Sequence, residues 1–259
     1  MNITGNTILI TGGGSGIGRA LAEALQAKGN TIIVAGRRQA ALDAVVAANP
    51  GMASVVLDVG DAASIHDVSA RLVAEHSDLN VVIQNAGIMV MEDIAADDWS
   101  IDTAEATITT NLLGPIRLTA ALLPHLKARG AMEGGATIMT VSSGLAFVPL
   151  AATPTYCATK AAIHSWSQSL RVQLAGSGIG VIELVPPGVQ TELMPGHDTS
   201  PHAMPLADYI AEVMAIFEAD PHGAEIVVEN CRPLRAAQDD AAHGVVFARL
   251  NGDFLSKAG

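Results

Sequence analysis

Short β-branched runs recur along the chain between longer segments rich in Ala and Leu. The runs are Thr7 to Thr11, Thr31 to Ala35, Ser54 to Leu57, Val81 to Gln84, Ala136 to Val141, Ile179 to Val185 and Glu225 to Val228. Between them, Gly18 to Lys28, Gln39 to Ala48, Ser64 to His76, Thr103 to Leu126 and Thr155 to Ala175 read as helices, since good helix formers dominate and apolar residues recur at helical spacing. Gly114-Pro115 interrupts the fourth and predicts a kink or a restart, because Pro has no N–H and crowds the preceding turn. Around Glu192 to Pro205 the composition turns to Pro, Gly, His, Met, Asp and Ser without periodicity. That pattern predicts a loop over a site, spanning about residues 190–215. Strands alternating with helices predict one α/β domain over residues 1–259: a Rossmann-like, doubly wound, seven-stranded parallel sheet with helices on both faces. Residues 231–259 read as a polar tail.

Composition narrows the class. Hydrophobic residues make up 49% of the chain and charged residues 15%, enough apolar material for a large core and too little charge for disorder. Aromatics are only 3%, so the core is aliphatic, as buried parallel strands under Ala-rich helices require. The formal charge of −12 argues against nucleic acid, whose phosphates need clustered cations. No uncharged stretch is long and apolar enough to span a bilayer. Met1-Asn2-Ile3-Thr4 carries no basic cluster ahead of an apolar run, and the two cysteines are too few for a disulfide framework. A cytoplasmic protein with no membrane partner is expected. The eight His never take the paired spacing of a zinc site, so no metal is expected.

The first strand runs into Thr11-Gly12-Gly13-Gly14-Ser15-Gly16-Ile17-Gly18, and a helix follows. Bare backbone in such a turn can approach a pyrophosphate, and the unpaired N–H groups of the helix start oppose its charge. The spacing differs from the common Gly-x-Gly-x-x-Gly fingerprint. It resembles instead the turn of the short-chain dehydrogenase/reductase family.

That resemblance implies further positions. Dinucleotide sites that prefer NAD carry an acidic residue about 20 residues beyond the turn to hold the ribose 2′-OH. Here the second strand ends in Gly36-Arg37-Arg38, with Gly36 where NAD-preferring relatives carry Asp. Two guanidiniums would hold a 2′-phosphate, so NADP(H) is the expected cofactor, with NAD(H) possible. Asp58-Val59 resembles the family's adenine contact, although an Asp there could also cap the next helix. Gln84-Asn85-Ala86-Gly87 resembles Asn-Asn-Ala-Gly, which lies along the cofactor ribose; Gln84 departs from the first Asn. Pro187, Gly188, Val189 and Thr191 resemble the segment that holds the nicotinamide.

Tyr156 and Lys160, four residues apart, fall on one face of a helix. An ammonium beside a phenol favours the ionised phenol and predicts a lowered Tyr pKa, as hydride transfer from an alcohol needs a base near neutral pH. The pair matches the family's Tyr-x-x-x-Lys. Ser143, thirteen residues before Tyr156, takes the family's spacing for the hydroxyl that orients the substrate carbonyl, with Ser142 the competitor. Asn111 resembles the fourth member of the tetrad, its amide holding a water that relays protons to Lys160. Lys160 and Tyr156 also reach the cofactor in this family.

The implied activity is NADP(H)-dependent interconversion of a ketone or aldehyde and an alcohol. An NAD-linked polyol or secondary-alcohol dehydrogenase and a non-catalytic NADP(H)-sensing protein are the alternatives. Apolar residues in Leu145 to Leu150 and Glu192 to Met204 favour a hydrophobic ketone over a sugar. The family packs its fourth and fifth long helices against a second copy, implying a homodimer or homotetramer. After the last strand the chain lacks the family's frequent Asp-Gly-Gly close. It resembles there a bacterial subgroup of uncharacterised oxidoreductases associated with D-alanine incorporation.

Overall fold

The computed structural model describes residues 1–237 and 243–251; the other positions of the expected polar tail lie outside the described residues. The seven runs become β1 (Thr7–Thr11), β2 (Thr31–Gly36), β3 (Ala53–Val56), β4 (Leu79–Gln84), β5 (Ala136–Val141), β6 (Ile179–Val185) and β7 (Glu225–Val227). They form one parallel sheet in the order β3-β2-β1-β4-β5-β6-β7. Every residue of β1, β4 and β5 is buried, which explains why these strands lack polar alternation.

Successive side chains leave a strand on opposite faces, and β1 illustrates the division. Ile8 and Ile10 join a core under α1 (Gly16–Ala27), α2 (Gln39–Ala48) and α7 (Leu206–Ala219). Leu9 joins another under α3 (Ala62–Glu75), α5 (Gly114–Gly130) and α6 (Pro154–Gln173). The strand order reverses beside β1, so the connections leaving β1 and entering β4 lie on opposite faces and open a crevice between their ends.

The interrupted helix resolves into α4 (Asp102–Ile108), a π turn over Thr109–Leu113, and α5. Within it the Gly114 N–H donates to the Thr109 carbonyl, one residue wider than an α-helical bond. Pro115 has no N–H to return to Asn111, and the wider turn accommodates that loss. Gly114 is also pressed on the loop after β3: a methyl there would sit 2.6 Å from the Val59 carbonyl oxygen.

Two stretches differ from expectation. The loop ends at Pro205, and α7 begins at Leu206; Tyr209, Ile210, Val213, Met214 and Phe217 bury one helical face, which outweighs the irregular composition just before it. The start of the expected tail is also packed. Cys231 lies in the core, α8 (Arg232–Ala236) follows, and α9 (His243–Leu250) leads to a buried Asn251. The Asn251 amide donates to the Pro149 carbonyl at 2.9 Å and accepts from the Ala151 N–H, closing over the loop after β5.

Gly114→Ala should destabilise the fold by about 1–3 kcal/mol, because neither Val59 nor the π turn can retreat freely. Urea unfolding checks this; an unchanged midpoint would show that the contact relaxes at no cost.

Candidate active site

The expected site residues gather at the C-terminal edge of the sheet. The turn after β1 is shaped by Gly12 and Gly16, whose φ angles of 68° and 52° favour glycine. Gly18 lets α1 sit directly on the turn: a methyl there would lie 2.4 Å from both the Gly12 carbonyl oxygen and Asn85 Nδ2. β4 is tied to the same turn. Thr11 Oγ1 accepts from the Asn85 and Ala86 N–H groups, each at 3.1 Å, and Asn85 Nδ2 donates to the Thr11 carbonyl at 3.0 Å. Gln84, the departure from the family's Asn, turns away and donates to the Pro115 carbonyl and to Thr119 Oγ1.

Arg37 and Arg38 are exposed after β2. Arg38 Nη2 reaches Ser15 Oγ at 3.5 Å, so this guanidinium and the glycine turn share one rim. The Asp58 carboxylate accepts from the Gly60 N–H at 2.8 Å, while Asp61 caps α3 by accepting from Ala63 N–H at 2.9 Å. The capping alternative for Asp58 is thereby removed. Across the crevice, a methyl on Gly16 would be 3.4 Å from Thr191. The Val189 segment is clipped to the end of the following loop, with Met204 N–H donating to the Gly188 carbonyl and Gln190 N–H to the Met204 carbonyl, both at 2.8 Å.

Tyr156 and Lys160 stand one turn apart on α6, both buried. The Ser143 hydroxyl accepts from the Leu145 N–H at 3.1 Å and is the hydroxyl near enough to the Tyr156 phenol to lower its pKa. Ser142 is also buried, but its hydroxyl has no hydrogen-bond partner among the described residues, so Ser143 is the serine that meets the tyrosine. Lys160 Nζ donates to the Val141 carbonyl at 2.7 Å and lies 5.5 Å from the centre of the Tyr156 ring. Gly87 keeps the opposite wall open: a methyl there would be 3.7 Å from Lys160 Nζ.

Two expectations change. Burial raises the Tyr156 phenol to about 12, against a smaller lowering by the Ser143 hydrogen bond. Desolvation therefore exceeds the help expected from Lys160, whose ammonium is turned to a carbonyl rather than to the phenol oxygen. Burial also lowers Lys160 to about 8, with Glu183 opposing. Asn111 arrives at the site, but its amide is already engaged: Oδ1 accepts from Ile88 N–H and Nδ2 donates to the Ile88 carbonyl, each at 2.8 Å, and Nδ2 also faces Thr159 Oγ1 at 3.3 Å. The side chain pins the backbone beyond Gly87 instead of reaching Lys160.

Glu92 gave no signal in the sequence, because no spacing rule links it to a helix that starts about sixty residues later. Its carboxylate accepts from the Thr155 N–H at 3.0 Å and the Thr155 hydroxyl at 2.9 Å. It thus supplies the N-terminal cap that the side chain of Thr153 does not. Among the described residues, His164, Glu183 and Glu225 bring possible metal-ligand atoms within 4.8 Å of one another, but Arg235 already holds Glu225 through an ion pair of 2.8 Å.

A doubly wound sheet with a glycine turn at its switch point, and a Ser, Tyr and Lys beside it, defines a dinucleotide-dependent oxidoreductase site. The sequence pattern of the short chain dehydrogenase family matches residues 6–200, and the chain belongs to that family. It is 40% identical over 193 residues to an uncharacterized oxidoreductase, DltE, of Bacillus subtilis, covering 74% of this chain and 75% of that one. It is 29% identical over 252 residues to an NADP-dependent 3-hydroxy acid dehydrogenase of Schizosaccharomyces pombe, covering 95% and 87%. A short chain dehydrogenase from Burkholderia cenocepacia in complex with NADP superposes with a TM-score of 0.79 at 25% identity, covering 96% of this chain and 99% of that one. The protein is an oxidoreductase of this family, with a nicotinamide cofactor. No helix among the described residues is long and apolar enough to cross a membrane.

Glu92→Ala should lower stability by about 1–2 kcal/mol through the lost cap, with the half-buried Thr155 N–H left without its carboxylate. Thermal unfolding measures the loss; a variant as stable as the parent would mean that another group caps α6.

Proposed function

We propose that the protein is an NADP(H)-dependent oxidoreductase that interconverts a ketone or aldehyde and the corresponding alcohol. The meeting of Ser143 and Tyr156, backed by Lys160, carries this reading. A bound nicotinamide supplies or accepts the hydride. Tyr156 gives its phenolic proton to the carbonyl oxygen in reduction and removes the hydroxyl proton in oxidation. Ser143 donates to the same oxygen and opposes the charge that develops on it. Lys160 holds positive charge beside the phenol and reaches the cofactor ribose. Asn111 keeps the Gly87-Ile88 backbone in position, and any relay of protons through it falls to its main-chain carbonyl, which Pro115 cannot pair.

The chain's own residues fit such a cofactor. The turn of Gly12, Gly13, Gly14, Ser15 and Gly16, continued by Ile17 and Gly18, leaves bare backbone for a pyrophosphate. Arg37 is exposed without a partner among the described residues, free to meet a 2′-phosphate with Arg38 beside it. Asp58 and Val59 suit the adenine, Asn85, Ala86 and Gly87 the ribose, and Pro187, Gly188, Val189 and Thr191 the carboxamide. Exposed Val90, Met91 and Leu193 flank these segments and favour an apolar substrate. Exposed Ile108, Leu113 and Val172 on the α4–α6 side support a homodimer or homotetramer.

Tyr156→Phe should abolish turnover on a panel of ketones and alcohols while NADPH binding persists; full activity would overturn the assignment. Arg37→Ala should weaken NADPH binding by about ten-fold or more and leave NADH nearly unchanged, because only NADPH carries the phosphate that a guanidinium pairs. Equal losses for both would favour an NAD-linked enzyme. Turnover in the reducing direction should fall as pH rises through about 8, where Lys160 loses its charge, and a rate flat to pH 10 would contradict that role.

A further inference from the structure

The chain between Ser143 and Tyr156 joins the two side chains that would meet a carbonyl oxygen, so its path shapes the space in front of both. Over residues 144–153 the half-buried positions, Leu145, Ala146, Pro149, Leu150 and Ala151, are all apolar. A single 3₁₀ turn, Gly144–Ala146, opens this loop. Pro149 to Ala152 lie outside every helix and strand, and their backbone groups are met from other segments. Cys157 Sγ accepts from the Leu150 N–H at 3.3 Å, and the Glu92 N–H donates to the Ala152 carbonyl at 2.9 Å. The Pro149 carbonyl and the Ala151 N–H are held together by one side chain, Asn251, at the end of α9. Asn251 is 2% exposed. Its Nδ2 donates to the Pro149 and Phe247 carbonyls, each at 2.9 Å, while Oδ1 accepts from the Ala151 N–H. Two carbonyls on one side and an N–H on the other require a primary amide: a hydroxyl has one proton to give and a carboxylate none. The rest of the C-terminal segment grips the same loop. A methyl on Gly144 would lie 2.7 Å from Leu234 Cδ1 and 2.9 Å from Cys231 Sγ, and the Arg235 guanidinium sits 4.8 Å from the centre of the Phe147 ring. These residues all lie beyond residue 200, where the family's sequence pattern ends.

We infer that Asn251 is a specificity-determining residue: by clamping Pro149 and Ala151 it fixes the apolar wall against which a substrate lies while its carbonyl meets Ser143 and Tyr156. The inference rests on reading those two as reacting groups. The substrates so discriminated are carbonyl compounds with a bulky apolar substituent, since the clamped strip offers them contact area and little else. Without the amide, the strip keeps its ties to Cys157 and Glu92 but loses the pair of bonds that spans Pro149 to Ala151. It can then swing away from a substrate while the sheet stays folded, because no strand passes through it. The loss falls on each substrate according to its contact with the wall. The glycine turn stands after β1, two strands from β5, so cofactor binding does not depend on the clamp.

The test compares the full chain with its Asn251→Ala variant. Amide hydrogen exchange without substrate should quicken by about ten-fold or more in peptides covering residues 147–152 and stay the same over residues 7–18; unchanged exchange in the loop overturns the inference. NADPH binding, read by its fluorescence, should be the same in both proteins, and a weakened cofactor would mean that Asn251 acts on the whole site instead. Across a ketone series of growing apolar bulk, KM should rise by about ten-fold for the bulkiest member and by less than about two-fold for the smallest, with kcat kept. A merely structural residue would shift all members alike, and that result overturns the inference. Asn251→Gln, which carries the same amide on a longer stem, should recover part of both the protection and the discrimination, whereas Asn251→Asp, which cannot donate, should recover neither. Where Asn251→Ala does not fold, Asn251→Gln and Asn251→Asp carry the same comparison, and equal behaviour of those two sinks the inference. If the parent turns over no carbonyl compound, the functional reading fails and the specificity role falls with it, while quickened exchange still shows the clamp. Quickened exchange with an unaltered size preference overturns the inference alone.

Discussion

The close approach of bare backbone at the switch point governs this molecule. β1 and β4 are neighbours whose connections leave on opposite faces, so their ends meet with unpaired backbone groups and no covering helix. Thr11 and Asn85 satisfy those groups reciprocally, and Gly18 lets α1 settle on the knot they form. A side chain at Gly12 or Gly18 would separate the helix from the strand ends. The crevice, the glycine turn and the wall formed by Gly87 all inherit their positions from this contact.

Dryness is the second consequence. The edge where the strands end is covered by α6, the π turn and the loop after β5, so Ser143, Tyr156 and Lys160 are buried. Burial alone carries Tyr156 up and Lys160 down, each toward its uncharged form.

Much of this was legible because it is local. The glycine turn, Gly36-Arg37-Arg38 and Tyr156-Cys157-Ala158-Thr159-Lys160 are short and carry their geometry in consecutive residues, and each strand end could be read from its β-branched run. Ser143 was preferred over Ser142 on the family's spacing, and in the structure Ser143 is the one whose hydroxyl acts on the Tyr156 phenol. Asn111 was singled out through its resemblance to the family's helix Asn, whereas its amide partners were not legible, because Ile88 and Thr159 approach it from distant segments. The helix from Leu206 was hidden by the irregular residues before it, although its apolar positions carry a helical period.

The amino-acid order by itself determined the α/β class, the strand and helix sequence, the glycine turn and the placing of Tyr156 and Lys160 on one helix face, since each follows from periodicity, backbone freedom or a fixed step along one helix. Only the tertiary structure decided what those groups experience. That Lys160 faces the Val141 carbonyl rather than the phenol oxygen, that Glu92 caps α6, and that Glu183 is enclosed beside His164 all depend on segments far apart in the chain. Desolvation and through-space charge act over distance in the fold, and spacing along the chain does not encode that distance.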